Sequence, residues 1–239
     1  MKTSNNTVLI TGGGSGIGFA LAEKFHAAGN RVIVVGRNEA ALSKAAAALP
    51  GITTRVADIS IAANRENLVS EFSDVSILVN NAGIQNNTPI SESSPADIEH
   101  ELNINFLAPV LLCRAFLPYL LQRDSAAIIN VSSGLALVPK QAAAIYCASK
   151  AALHSFSKTL RWQLESSGIK VFEVLPPLVE TAMTSGRGKG KISPAQLAEE
   201  FWQAFQRDQQ EILIGKTKLL SVINRFLPSV AEKIMRGGL

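Results

Sequence analysis

Cysteine and tyrosine are scarce in this chain of 239 residues. Cys113 and Cys147 are the only cysteines, and they are too far apart in the sequence to indicate a disulfide framework or a zinc knuckle. This use of cysteine fits a protein of a reducing compartment. No metal site is predicted. The segment after Met1 turns polar at once and lacks the apolar stretch of a secretory signal, so we expect a cytoplasmic protein. Only two tyrosines occur, so a motif that requires tyrosine rarely matches by chance.

Long apolar runs are also missing. The longest charge-free stretch, residues 3–22, has about the length of a membrane span, but five glycines and a polar start exclude a transmembrane helix. Hydrophobic residues nevertheless make up 47% of the chain and charged residues 18%, a balance typical of a protein with a large core. At roughly 150 residues per domain, the length predicts a single domain over residues 1–239.

The positive charge is confined to one end of the chain. Residues 1–183 hold 14 Lys and Arg against 14 Asp and Glu, whereas residues 184–239 hold 9 against 5, which accounts for the net charge of +4. Residues 184–191 carry three cations and three glycines, which favours a mobile segment. This distribution makes nucleic acid the least favoured partner, whereas an anionic substrate and a membrane-borne substrate both remain open.

Short apolar, β-branched runs alternate with segments of helical period along the chain. This alternation is typical of βαβ units, in which strands covered by helices on both faces are apolar throughout. We predict an α/β, Rossmann-like three-layer fold with a doubly wound parallel sheet of about seven strands. The runs lie at residues 8–10, 31–35, 52–56, 75–79, 126–131, 170–175 and 212–214.

A glycine-rich turn follows the first predicted strand. The segment Gly12-Gly13-Gly14-Ser15-Gly16-Ile17-Gly18 leads directly into a helical pattern. A strand, a glycine turn and a helix N-terminus bring bare backbone amides and the positive end of the helix dipole to one point, which suits a phosphate. The spacing is G-x-x-x-G-x-G, and an ordinary flexible loop is the alternative.

Arg37 directly follows the second predicted strand, where dinucleotide-binding folds select between cofactors. An acidic residue there selects NAD, whereas an arginine accommodates the additional phosphate of NADP. Residues 34–38 contain no carboxylate, and a guanidinium binds phosphate in a bidentate manner. We predict NADP(H), with NAD(H) as the second choice, against the alternative of a solvated arginine that opens the next helix.

Tyr146 and Lys150 are four residues apart in a segment of helical period and therefore share one helix face. A phenol ionises near pH 10, and we expect the ammonium of Lys150 to lower the pKa of Tyr146, which makes the pair a proton donor and acceptor. A tyrosine packed beneath a lysine is the alternative. Ser133 ends a strand where it can hold a substrate oxygen, although Ser132 or a turn-capping role fits as well.

These motifs, in this order, resemble the short-chain dehydrogenase/reductase family in its branch without a separate substrate domain. The resemblance spans most of the chain. It also includes Asp58-Ile59 after the third strand, Asn80-Asn81-Ala82-Gly83 after the fourth, Asn105, and residues 176–181 after the sixth.

The resemblance implies a role for each matching residue. Tyr146 would exchange a proton with the substrate oxygen while a hydride moves between the nicotinamide ring and the carbinol carbon, and Ser133 would hydrogen-bond that oxygen. Lys150 would also hold the nicotinamide ribose. Asn105 would anchor a water in the proton path. The alternatives are that Asn105 is a buried structural residue, or that Asn103 has this role instead. The other implied cofactor contacts are Gly12, Ser15, Gly16, Ile17 and Gly18 at the turn, Arg37, Asp58 at the adenine amino group, Ile59 against the adenine ring, Asn81, and Val179 and Thr181 at the carboxamide.

Two positions depart from the usual pattern of the family. Pro176-Pro177 stands where Pro-Gly is usual, which removes a backbone donor. Ser15 stands where members that use NADP often carry a basic residue, so NADP selection would depend on Arg37. Residues 8–26 and 28–33 are similar to a subgroup of bacterial oxidoreductases named after teichoic-acid D-alanylation operons.

The sequence thus favours an NADP(H)-dependent oxidoreductase that interconverts an alcohol and a ketone or aldehyde. The alternatives are a catalytically silent dinucleotide sensor and a peripheral membrane reductase that acts on a lipid-linked carbonyl. Residues 182–193 are expected to form a mobile substrate loop, and the apolar face of residues 195–207 either packs in the core or lines a pocket. The resemblance also implies a homodimer or homotetramer built on the helices that hold Asn105 and Tyr146.

Overall fold

The computed structural model describes residues 1–237 and contains one seven-stranded parallel sheet. Its strand order is β3-β2-β1-β4-β5-β6-β7, and every neighbouring pair is parallel. The predicted doubly wound sheet of seven strands is therefore confirmed. The strands are β1 (Thr7–Thr11), β2 (Arg31–Gly36), β3 (Thr53–Val56), β4 (Ile77–Asn80), β5 (Ala126–Val131), β6 (Ile169–Leu175) and β7 (Glu211–Leu213).

Helices connect the strands and cover both faces of the sheet. Polar side chains cap several of them: the hydroxyls of Ser94 and Ser193 each accept a hydrogen bond from a first-turn amide of α4 and α7. The helices are α1 (Gly16–Ala27), α2 (Glu39–Ala48), α3 (Ala62–Glu71), α4 (Pro95–Leu102), α5 (Ala108–Leu120), α6 (Ala144–Gln163), α7 (Pro194–Gln206), α8 (Thr217–Phe226) and α9 (Pro228–Arg236).

Alternate residues of the central strands enter two separate hydrophobic layers. On one face, α1 and α7 pack on the sheet around Phe25, Phe172, Phe201 and Phe205, whose ring centroids are between 4.9 and 6.0 Å apart. The apolar face predicted at residues 195–207 is part of this layer, which confirms core packing over pocket lining. On the other face, α3, α5 and α6 cover a second layer.

β3 differs from the expectation that every strand is apolar. It lies at the edge of the sheet, and its residues Thr54, Arg55 and Val56 are exposed. An edge strand has a partner on one side alone, and polar side chains there discourage pairing with another chain. The other strands begin and end within two residues of their predicted limits.

The helix between β4 and β5 is long and apolar. Among the described residues, Pro95–Leu120 is the one helical stretch whose length and composition would allow it to cross a membrane. It comprises α4, a π-helical turn at Asn103–Leu107 and α5. Leu112 and Phe116 of α5 are fully buried against the sheet, as in a core helix.

Candidate active site at the carboxyl edge of the sheet

Thr11 and Asn81 join the ends of two neighbouring strands beneath the glycine turn. The strand order reverses between β1 and β4, which is where ligands bind in open α/β sheets. The Thr11 hydroxyl accepts hydrogen bonds from the amides of Asn81 and Ala82 at 3.0 and 3.1 Å. The Asn81 side chain donates in return to the carbonyls of Thr11 and Gly12 at 2.9 and 3.2 Å. These four bonds fix the position of the turn.

The turn itself leaves no room for side chains. A Cβ atom on Gly18 would lie 2.3 Å from the carbonyl oxygen of Gly12 and 2.4 Å from Nδ2 of Asn81. Gly12 and Gly16 have φ angles of 66° and 55°, which favour glycine. The first turn of α1 contains no acidic residue, and the first amides of a helix have no intrahelical acceptor. This bare cradle fits the pyrophosphate of a dinucleotide.

Arg37 and Asp58 form a second group beyond the end of β2. Nη1 of Arg37 lies 3.6 Å from Oδ2 of Asp58. Oδ1 of Asp58 accepts hydrogen bonds from the amide and hydroxyl of Ser60 at 2.9 and 2.7 Å. Burial alone would raise the pKa of Asp58, but the bonds from Ser60 and the charge of Arg37 hold it below its ordinary value. Ile59 packs in the core and is 6% exposed.

Ser133, Tyr146 and Lys150 come together where β5 ends against the N-terminal half of α6. Nζ of Lys150 lies 5.8 Å from the centre of the Tyr146 ring and donates to the carbonyl of Val131 at 2.8 Å. The Ser133 hydroxyl accepts from the amide of Leu135 at 3.1 Å, so it caps the following turn and still has a proton to donate.

Ser132 directs its hydroxyl to the backbone of α6. Its hydroxyl donates to the backbone carbonyl of Lys150 at 3.2 Å, and the residue is 2% exposed. The Ser132 hydroxyl therefore already donates its hydrogen bond to the carbonyl of Lys150, whereas the Ser133 hydroxyl lies within hydrogen-bond reach of Tyr146. Of the two serines, Ser133 has the geometry to bind a substrate oxygen.

Burial changes the acidity of the pair in a direction that the sequence did not predict. The expectation that Lys150 lowers the pKa of Tyr146 is wrong, because burial raises the pKa of Tyr146 to about 12 and the Ser133 hydroxyl offsets this rise only in part. Burial also lowers the pKa of Lys150 to about 8, against the opposing charge of Glu173. Removal from water favours the neutral form of each group. The ammonium of Lys150 donates its hydrogen bond to the carbonyl of Val131 and lies 5.8 Å from the centre of the Tyr146 ring.

Asn105 is fully buried in the π-helical turn between α4 and α5. Its side chain donates to the carbonyl of Ile84 at 2.9 Å and to the Ser149 hydroxyl at 3.1 Å, and it accepts from the amide of Ile84 at 2.9 Å. Ser149 donates in turn to the carbonyl of Tyr146 at 2.7 Å. These bonds support the structural alternative for the Asn105 side chain, and its water site stays a prediction. Asn103 points elsewhere, to the carbonyl of Ser60.

One cavity of about 670 Å³ contains the glycine turn and the pair on α6. Thr181 lies directly over the turn, since a Cβ on Gly16 would be 3.1 Å from its methyl group. The predicted residues Gly18, Arg37, Asp58, Ile59 and Asn105 do not line the cavity. The predicted residues that do are Gly12, Ser15, Gly16, Ile17, Asn81, Ser133, Tyr146, Lys150, Val179 and Thr181.

Comparison with known proteins identifies the family of this chain. The sequence profile of the short chain dehydrogenase family matches residues 6–191. The chain is also 41% identical over 224 residues to the uncharacterized oxidoreductase DltE of Bacillus subtilis (strain 168), and the match covers 89% of each protein. The chain belongs to the short-chain dehydrogenase/reductase family. It is an oxidoreductase, and its likeness to DltE supports the predicted subgroup.

Solved structures of short-chain dehydrogenases have the same fold. One from Burkholderia cenocepacia J2315 in complex with NADP superposes with a TM-score of 0.89 at 25% identity and covers 98% of this chain and 99% of its own. Another from Sphingobium yanoikuyae in complex with NADPH gives a TM-score of 0.83 at 28% identity, with 96% and 95% covered.

The loop at residues 182–193 of this short-chain dehydrogenase contains two short elements of secondary structure. Ala182–Thr184 form a 3₁₀ turn, and Val179 pairs with Ile192 in a single parallel bridge. The mobility of the loop stays a prediction. At the departure from the family pattern, the carbonyl of Pro176 accepts a hydrogen bond from the amide of Gly134 at 2.8 Å, which ties the ends of β6 and β5 together.

The sequence predicts cations in the substrate loop, but Lys140 and Lys216 at the cavity mouth of this dehydrogenase were not predicted. Lys140, Arg187 and Lys216 line the cavity beside apolar residues of α8 and α9. Burial and the nearby charge of Arg187 lower the pKa of Lys140. The concentration of charge after residue 184 is a signal for Arg187 and Lys216, but Lys140 has none. The result is an apolar cavity with a cationic rim.

Proposed function

We propose that this short-chain dehydrogenase reduces a ketone or aldehyde to an alcohol with NADPH, and catalyses the reverse reaction with NADP, with Tyr146 as the general acid and base. One observation carries the proposal: Ser133, Tyr146 and Lys150 line the same cavity as the glycine turn. Solved short-chain dehydrogenases hold NADP, NADPH, NAD or NADH, so the choice of NADP(H) rests on Arg37. NAD(H) is the second choice.

The residues present fit such a dinucleotide. The turn from Gly12 to Gly18 would hold the pyrophosphate, and the half-exposed guanidinium of Arg37 would bind the additional phosphate. Asp58 would accept from the adenine amino group and Lys150 would hold the nicotinamide ribose. When bound, the cofactor supplies the hydride to the carbonyl carbon. Asn81, Ile59, Val179 and Thr181 complete the proposed contacts.

The side chains of this protein would supply the proton. With a pKa of about 12, Tyr146 is protonated at neutral pH and able to donate its proton to the carbonyl oxygen as the hydride arrives at the carbon. The Ser133 hydroxyl donates a hydrogen bond to the same oxygen. Lys150, with a pKa of about 8, is charged at neutral pH and stabilises the phenolate that remains on Tyr146. The product is the alcohol, and solvent returns the proton to Tyr146.

The cavity also points to a class of substrate. Its walls from α8 and α9 are apolar, whereas Lys140, Arg187 and Lys216 make its rim cationic. A carbonyl compound with an apolar body and an anionic end complements both features. Screening ketones and aldehydes in matched pairs, with and without a carboxylate or phosphate, tests this class, since kcat/KM should be higher for the anionic member of each pair.

The two tyrosines of the chain offer a matched test of the proposed acid. Tyr146→Phe should lower turnover about 10²- to 10⁴-fold, the usual contribution of a general acid, and should leave NADPH binding intact. Tyr119→Phe removes the other hydroxyl, on α5 and outside the cavity, and should keep full activity. NADPH oxidation and a fluorescence titration of NADPH measure the two properties. Undiminished turnover in Tyr146→Phe would rule out the mechanism.

We also propose a cytoplasmic homodimer or homotetramer that is built on α5 and α6. Leu107 beside α5 and Trp162 on α6 are 47% and 61% exposed, as expected of side chains that a second copy covers. Light scattering should give a multiple of the 25.5 kDa chain mass. A Trp162→Ser substitution should shift the protein toward the monomer.

A further inference from the structure

The outer surface of α8 and α9 carries a concentration of apolar side chains that the fold does not use. Among the described residues 1–237, thirteen large hydrophobic side chains are exposed, and six of them lie within these last two helices and their junction. We call these six the hairpin face. They are Leu219, Val222, Phe226, Leu227, Val230 and Ile234.

Each of the two helices has a separate inner side that already packs on the protein. Leu220 and Ile223 of α8, with Ala231 and Met235 of α9, contact a small core around Val138. The hairpin face lies roughly 100° around each helix from this inner side, at positions 219, 222 and 226 in α8 and 230 and 234 in α9. The inner side is sufficient to hold the helices in place. The outer side therefore needs another explanation.

Cations surround the hairpin face. Between residues 216 and 236 the chain has five basic residues and one acidic residue, Glu232, which gives a net charge of +4. One of the cations, Lys218, is paired with Glu200 of α7 at 2.8 Å. Beside the apolar stripe, Arg225 and Lys233 are exposed. Apolar residues flanked by lysine and arginine on a short amphipathic helix are the composition of an interfacial membrane segment.

The charge decides between two occupants of this surface. A second copy placed by a two-fold axis would bring the same face, which stays positively charged after the pair of Lys218 with Glu200, against itself. Such a contact would be repulsive, whereas a bilayer with anionic headgroups attracts the cations and accepts the apolar side chains. We propose that the hairpin face docks on the surface of an anionic bilayer.

Docking would also place the cavity at the bilayer. Leu219 and Ile234 of the hairpin face line the cavity together with Leu220 and Ile223 behind them. A substrate with an acyl chain then passes from the bilayer along α8 into the site. This consequence rests on the proposed function, whereas the docking itself does not.

Vesicle flotation with the full-length protein tests the docking directly. The protein should float with vesicles of equimolar phosphatidylcholine and phosphatidylglycerol, much less with phosphatidylcholine alone, and less as salt increases. The double substitution of Val222→Ser and Phe226→Ser, neither of which lines the cavity, should lower binding at least about tenfold. The matched control is Ile90→Ser with Leu121→Ser, two exposed apolar residues elsewhere, which should bind like the original protein.

Charge is tested in the same way. Arg225→Gln with Lys233→Gln should lower binding to the anionic vesicles, whereas Lys44→Gln with Arg207→Gln removes the same charge from α2 and the end of α7 and should leave binding unchanged. Circular dichroism and thermal melting confirm that every variant is folded.

Three results would overturn the docking proposal. The first is that the original protein fails to float with anionic vesicles, and the second is that the hairpin-face variants bind as well as their controls. The third is that Val222→Ser with Phe226→Ser dissociates an oligomer, as measured by light scattering. The last result would assign the surface to a second copy. Reduction of a water-soluble ketone by the same variants is measured in parallel and should stay unchanged. A failure of docking is therefore distinguishable from a failure of the proposed activity.

Discussion

Replacing Lys150 with methionine is expected to make the protein more stable at neutral pH while it abolishes turnover. Lys150 is 4% exposed, and its ammonium donates to the carbonyl of Val131 at 2.8 Å. Burial lowers its pKa from 10.5 to about 8. Methionine has a similar length and no charge, so it fills the same space without the cost of burying an ion.

The size of the effect follows from the pKa of Lys150. A fall from 10.5 to about 8 corresponds to about 3 kcal/mol of folding free energy. Because the pKa is lower in the folded state than in the unfolded state, this cost is complete below pH 8, decreases between pH 8 and 10.5, and disappears above that range. Losing a buried hydrogen bond from the charged ammonium to the carbonyl of Val131 costs about 2 kcal/mol. Lys150→Met should therefore gain about 1 kcal/mol at neutral pH and lose that gain in alkali.

Urea unfolding of the cofactor-free protein measures this difference. The free energies of unfolding of the original protein and of Lys150→Met are compared from neutral pH to about pH 10. Cofactor has to be absent, because a ligand adds its own binding free energy to the folded state. Lys44→Met, an exposed lysine on α2, is the control and should show no such pH dependence. The reasoning is refuted if Lys150→Met is the less stable protein at neutral pH, or if the difference between the two does not change with pH.

Three further predictions concern the cofactor and the proton. Arg37→Gln should raise the Kd for NADPH about 10- to 100-fold, by loss of a charge-assisted contact, and leave that for NADH unchanged; equal weakening of both would contradict the assignment. Gly18→Ala forces a Cβ to within 2.3 Å of the Gly12 carbonyl, so it should destabilise the protein and weaken NADPH binding, whereas Gly168→Ala, with no neighbour closer than 3.6 Å, should not. For ketone reduction, kcat/KM should fall above about pH 8 as Lys150 loses its proton; a profile that stays level through pH 9 would exclude this role.

The parts of the site that depend on local spacing could be predicted from the sequence. The four-residue spacing of Tyr146 and Lys150 places both on one helix face, whether or not they are buried. The glycine turn follows a strand and precedes a helix. The meeting of Ser133 with Tyr146 then follows from the rule that ligands bind at the carboxyl edge of parallel strands. Most of the correct prediction therefore came from motifs whose residues are close together in the sequence.

The parts that depend on packing could not be predicted. The sign of the Tyr146 pKa shift reverses because burial outweighs a charge whose ammonium points to Val131. The π-helical turn that buries Asn105 has no sequence signal that we recognised, and neither does the position of Lys140 at the cavity rim. A helical period shows that α8 has an apolar stripe, but not that a second one, at 219, 222 and 226, remains outside.

The opposite shifts of Tyr146 and Lys150 have one cause and limit how deeply the pair can be buried. Each group moves toward its neutral form, so the phenol holds its proton at pH 7 and the ammonium comes close to losing its own. More burial would discharge Lys150 at neutral pH, and the phenolate left after proton donation would have no counter-charge. Less burial would let water compete for the substrate oxygen and weaken the bond from Ser133. A lysine with a pKa of about 8 is thus near the lowest value at which it still serves Tyr146 at neutral pH, and the stability that Lys150→Met recovers measures what this arrangement costs the fold.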